Sequence, residues 1–156
     1  MIEFKYNDGG RIESGRKGST SDCVCRAIAI ASGLPYDEIY ARLANGNATQ
    51  RKGKREKGRR LNRPGASGKR TASHGINTNR KWFKDYMTEL GFTWTATMGI
   101  GTGCRVHLVA DELPKGRIVC AVSKHYTAVI DGVVNDTHDP SRNGTRCVYG
   151  YWSFEK

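Results

Sequence analysis

The chain has no apolar run long enough to cross a membrane, and its start, Met1-Ile2-Glu3-Phe4-Lys5-Tyr6, alternates like a strand rather than reading as a signal peptide. A cytoplasmic protein with no membrane partner is the expectation. Zinc-type cysteine pairs are missing too: Cys23-Val24-Cys25 leaves a one-residue gap, and no second Cys or His pair answers it at ligand spacing. The glycine-rich stretch 99–103 lacks both the lysine-serine ending of a phosphate loop and the G-x-G-x-x-G spacing of a dinucleotide turn. No metal and no cofactor are therefore expected. Five cysteines, an odd number without regular spacing, argue against a disulfide framework and fit a reducing compartment. Acidic residues are few, 15 against 26 Lys and Arg, and the apolar share of 37% is low enough that part of the chain is not core. The length suits one domain, 1–156.

What is present centres on Ser19 to Gly33. Val24, Ala27, Ile28 and Ala31 recur at helical spacing, Ser19 and Asp22 have the form of a capping box, and Gly33 with Pro35 stops the helix. Cys23 then sits at a helix start, where unpaired N–H groups and the macrodipole favour a thiolate. Cys25, two positions on, points away from it.

A thiolate nucleophile needs a base. From His125 two apolar runs are joined by Asp131-Gly132, a strong two-residue hairpin signal. That turn sets Ile130 opposite Val133, Thr127 opposite Asp136 and His125 opposite His138. His125, Thr127, Asp136 and His138 share one face, with Asp136 diagonal to His125. Asp139 falls on the other face unless a bulge at the strand end returns it.

Asp22-Cys23 with Arg26-Ala27, followed far downstream by His-x-x-Ala-Val-x-Asp-Gly and Asp-Thr-x-Asp-Pro, resembles the papain-like cysteine peptidase fold. Within it the chain looks most like the small peptidase-like proteins of bacteriophages and plasmids, and more remotely like the peptidases that cleave double-glycine leaders. The resemblance implies an α+β domain whose N-terminal nucleophile helix packs on an antiparallel sheet. It also implies a thiol hydrolase (peptidase, amidase or acyltransferase) acting on a protein or peptide through a thioester, in the cytoplasm of a bacterial host if phage-encoded. Carried over, Cys23 is the nucleophile, His125 the base, and Asp136 or alternatively Asp139 the orienting group. Papain-like enzymes place a glutamine oxyanion donor about six residues before the cysteine. Here that position is Lys17, and the Cys23 N–H with Ser19, Ser21 or Lys17 has to serve.

The stretch from Arg51 to Arg70 has a different character. Arg51, Lys52, Lys54, Arg55, Lys57, Arg59, Arg60, Arg63, Lys69 and Arg70 face a single acidic residue, so most of the net charge of +11 lies there. Leu61 is its one large apolar side chain, and such a composition reads as a flexible basic insert at about 47–76. Its functional reading is an arm on nucleic acid, ribosome or an anionic host factor, which makes a non-catalytic binding protein the alternative to the enzyme. No aromatic interrupts the arm, so it offers no stacking of bases from within.

The remaining elements read as packing. A helix from Pro35 to about Gly46 carries Tyr36, Ile39, Tyr40 and Leu43 on one side. Another, from Asn79 to Leu90, carries Trp82, Phe83, Tyr86, Met87 and Leu90 and stops at Gly91. Phe92–Met98, Arg117–Val122 and Arg146–Phe154 read as strands. The segment 104–113 fits a short helix or an extended piece, and His107 within it and His74 read as structural.

Overall fold

The computed structural model describes residues 2–13, 22–49, 76, 78–98 and 101–155. The elements in order are β1 (Glu3–Tyr6), α1 (Cys23–Ser32), α2 (Tyr36–Thr49), α3 (Lys81–Leu90), β2 (Phe92–Ala96), a 3₁₀ turn (Ala110–Glu112), β3 (Arg117–Val122), β4 (His125–Ile130), β5 (Val133–Asp136) and β6 (Gly150–Phe154). This is an α+β arrangement. The strands form one sheet in the order β1-β5-β4-β3-β6-β2. The expected all-antiparallel sheet needs correction: β1 runs parallel to β5 at one edge, with Glu3 beside Val133 and Tyr6 beside Asp136. Alternation within a strand specifies which face is buried, not which way a distant partner runs.

The strand Arg117–Val122 reads as a continuous apolar run because both of its faces are covered. Val119 and Ala121 pack with Tyr126, Ala128 and Trp152 beneath α1, α2 and α3. Ile118, Cys120 and Val122 pack with Val129 and Val134 beneath Leu108, Leu113, Val148 and Ile2. Helix α1 is buried on nearly all sides, Val24, Cys25 and Ala27 through Ala31 among them. Its four-residue alternation of Ala and Ile lets it lie close on β4. Gly33 closes it in the left-handed conformation, φ 75°, with its N–H on Ala29 O.

Two helix boundaries differ from expectation. Helix α2 does not stop near Gly46 but runs on to Thr49, because Gly46 lies under the Trp82 ring, where a Cβ would collide with the indole. Asn47 is accordingly buried in α2 rather than opening a flexible insert, and Ile76 packs against the helical core. Residues 50–75, which carry the basic arm and His74, lie outside the described residues. Helix α3 starts at Lys81 instead of Asn79 and ends at Gly91, again left-handed.

The β4–β5 hairpin has the expected register, Ile130 on Val133 and Ala128 on Asn135. Asp131 (φ 49°) and Gly132 (φ 80°) are both left-handed, as a two-residue turn that matches strand twist requires. The segment 104–113 is extended up to its 3₁₀ turn, and His107 bridges Cys147. Beside this bridge Cys104 and Cys147 form a disulfide, Cα–Cα 5.8 Å. This bond departs from the expectation of reduced cysteines, because it joins two segments, 43 residues apart, that only the fold brings together. Among the described residues no helix is long and apolar enough to cross a membrane.

Candidate active site

Cys23 is the first residue of α1, with Asp22 at the N-cap. Asp22 thus lies at the N-cap and not inside the first turn as the Ser19–Asp22 capping box requires, its side chain makes no cap hydrogen bond, and Ser19 lies outside the described residues. Asp22 is instead 1% exposed and collects three partners: the Arg26 guanidinium, the Tyr36 hydroxyl at 2.5 Å and Arg11 Nε at 3.1 Å. Burial, and next the hydrogen bond to Asp22, push the Tyr36 phenol above its ordinary pKa, so Tyr36 stays a donor. A buried carboxylate needs such partners to remain charged.

The hairpin supplies the other half. His125 opens β4 and Asp136 closes β5, and His125 Nε2 lies 2.7 Å from Asp136 Oδ2. Thr127 Oγ1 donates to the same oxygen at 2.7 Å, and the Thr137 N–H donates to Oδ1 at 2.7 Å. Arg26 spans the two halves, with its second guanidinium nitrogen 3.5 Å from Asp136 Oδ1. Burial acts to raise the Asp136 carboxyl, but the hydrogen bonds from His125 and Thr127 outweigh it and hold the group below the usual carboxylate range.

With Nε2 committed to Asp136, the Nδ1 edge of His125 is left to act on the Cys23 thiol. Burial alone would push the Cys23 thiol up. The hydrogen bond to His125, the Tyr126 backbone N–H, and the charges of His125 and Arg26 together bring it below its ordinary value. For His125, burial lowers and the partners Asp136 and Cys23 raise, the balance carrying it up to about 9. The contacts that favour the imidazolium also favour the thiolate, so each charged form stabilises the other. This arrangement can add sulfur to an electrophilic carbon and return a proton to a leaving group.

Of the candidate residues, Cys23, His125 and Asp136 come together. The alternative Asp139 does not join them. The strand ends at Asp136, and Asp139 Oδ1 instead accepts the Ser141 N–H at 2.9 Å. His138 lies beside His125, ring centroids 5.1 Å apart. Cys25 is fully buried near the Tyr36 carbonyl, away from the pair. His107 contacts Glu112 at 3.3 Å and belongs to another part of the molecule. The oxyanion candidates Lys17, Ser19 and Ser21, and the polyanion-binding set from Arg51 to Arg70, lie outside the described residues. Sequence reasoning missed the linking roles of Arg26, Asp22 and Tyr36. The four-residue spacing of Asp22 and Arg26 was the available signal for one of these contacts. Comparison with protein-family models, with curated proteins and with solved structures gives no match.

Proposed function

We propose that the protein is a papain-like thiol hydrolase, a peptidase, amidase or acyltransferase acting on a protein or peptide, and that it works in the cytoplasm of a bacterial host. The observation that carries this reading is the His125–Asp136 pair, with Arg26 tying its carboxylate to the helix that Cys23 opens and His125 acting to lower the Cys23 thiol. Cys23 Sγ adds to the substrate carbonyl carbon, and the carbonyl electron pair moves to oxygen. The Cys23 backbone N–H at the start of α1 is aimed to meet that oxyanion. As the intermediate collapses, the His125 imidazolium gives its proton to the departing amine and a thioester remains. Water, losing a proton to His125, or an amine in acyl transfer, then attacks the thioester and returns the thiolate. Asp136 keeps the imidazole ring in place and stabilises its charge.

The test is Cys23 alkylation by iodoacetamide against pH, resolved by mass spectrometry, in the wild type and in His125→Ala. The expected result is a Cys23 that reacts much faster than the other thiols, with an apparent pKa well below about 8.5, and loses this in the variant. A slow Cys23 indifferent to His125 overturns the reading. The density of basic residues from Arg51 to Arg70 favours a second reading, a binding protein whose arm engages nucleic acid, ribosome or an anionic host factor. Cys23→Ala separates the two. It abolishes hydrolysis under the first reading and leaves salt-sensitive polyanion binding intact under the second.

A further inference from the structure

Where β3 turns into β4 the sheet opens into a cavity of about 380 Å³ lined by Trp94, Tyr126, Tyr149 and Trp152. It lies at the strand ends that carry the candidate site. Val122, which lines it, pairs with His125, and Ala121, which also lines it, pairs with both Tyr126 and Gly150. Gly150 matters to its shape, because a Cβ there would run into the Trp94 ring. The missing side chain lets that indole lie across β6 and form a wall.

Tyr126 joins cavity and nucleophile. It follows His125 directly in β4 and its backbone acts to lower the Cys23 thiol, while its side chain lines the cavity together with Thr78 and Trp152. A group seated against Tyr126 therefore meets the residue that follows His125 in the strand. Among the described residues the one charged side chain lining the cavity is Lys84, on the exposed side of α3. Among the described residues its ammonium makes no ion pair, whereas the nearby Lys81 is paired with Asp85 at 2.7 Å. Aromatic walls on their own would suit a cationic guest, but an unpaired lysine with no carboxylate in the lining repels one. An aromatic guest with an anionic neighbour suits both features.

We infer that this cavity is the acyl-side specificity pocket, taking an aromatic side chain of an acidic peptide while a carboxylate on the adjoining substrate residue meets Lys84. The inference rests on the thiol hydrolase reading above and names its substrate class. It is tested with acetyl-dipeptide chloromethyl ketones, in which a C–S bond to Cys23 replaces C–Cl and chloride leaves. Phe or Ala occupies either position, with Asp or Lys as its neighbour. Phe probes, at the better position, label Cys23 about tenfold or more faster than Ala probes. Asp beats Lys as the neighbour, and the difference shrinks as salt rises. Ala121→Phe, which fills the cavity, removes the Phe preference.

Equal rates for Phe and Ala, alongside fast His125-dependent labelling by iodoacetamide, overturn the pocket and leave the dyad standing. Equal rates for Asp and Lys overturn the role of Lys84. Should Cys23 resist iodoacetamide as well, the hydrolase reading fails, and tryptophan fluorescence decides the pocket as a binding site. Quenching by acetyl-Asp-Phe-amide but not by acetyl-Asp-Ala-amide keeps it, and equal responses overturn it.

Discussion

Cys120 is buried and Cys23 half-buried, and desolvation acts to raise both thiols, yet the outcomes are opposite. Cys120 lies in the middle of β3 among Ile118, Val122 and Val129, and burial without an ionic partner pushes its thiol far up. Cys23 lies at the head of α1, where the His125 hydrogen bond and charge and the Tyr126 N–H more than offset burial. Low dielectric disfavours a lone charge and strengthens a paired one. One residue type becomes inert filler or a nucleophile according to what faces it.

The largest break in this contrast is His125→Ala. Removing the imidazolium leaves Cys23 with burial as its main influence. Its alkylation at neutral pH falls by about 100-fold, while Cys120 stays unreactive in both proteins, as read by mass spectrometry of each peptide.

Asp136→Asn removes the partner that holds the imidazole charged, and its effect is about tenfold on labelling at pH 8. The sign follows from the two groups. Labelling needs only the thiolate, so in the wild type it holds a plateau above the lowered Cys23 pKa. Hydrolysis also needs the His125 proton and falls as pH rises through about 9. In Asp136→Asn that alkaline limb moves down toward the ordinary histidine value near 6.5. Stability changes in the same sense. His125 is raised in the folded state, so its contribution is full below about 6.5 and is lost as pH climbs through about 9.

Cys120→Ser sharpens the comparison from the other side. A hydroxyl in that apolar position costs about 1–3 kcal/mol of stability, measured by urea unfolding, with the pH profile of Cys23 labelling unchanged. Arg26→Met has the smallest expected effect on reactivity, about threefold, because its charge is the last of the contributions acting on Cys23. It also lets Asp136 turn, so the alkaline limb becomes broader. A full retention of both labelling rate and profile in Arg26→Met would falsify the linking role given to it.

Much of the site was legible because its signals are local. Asp131-Gly132 dictates a turn, the turn dictates a register, and the two-residue period then places His125, Thr127 and Asp136 on one face. The structure repeats that register and puts His125 and Asp136 at hydrogen-bond distance. The choice of Asp136 over Asp139 was left open, because only the path of residues 137–141 after the strand determines it. The Ser19–Asp22 capping box is a local pattern and does not indicate what a buried Asp22 carboxylate meets. Its actual partners, Arg11 and Tyr36, are brought in by the turn after β1 and by α2. Tyr36 was read as packing, and its ring does pack; the destination of its hydroxyl has no sequence signal. Gly46 was read as a helix end because glycine often is one, and the Trp82 ring that explains its presence belongs to another helix.

By itself, the sequence determined the α1 segment with its Gly33 stop, the strand Arg117–Val122 and the Asp131-Gly132 hairpin, since periodicity and turn chemistry act over a few residues. Only the tertiary structure decided the parallel docking of β1, the bridge from Asp22 through Arg26 to Asp136, the Cys104–Cys147 bond and the aromatic cavity at the β3–β4 turn. Each of these joins segments distant along the chain, and packing of the whole core settles which such pairs meet.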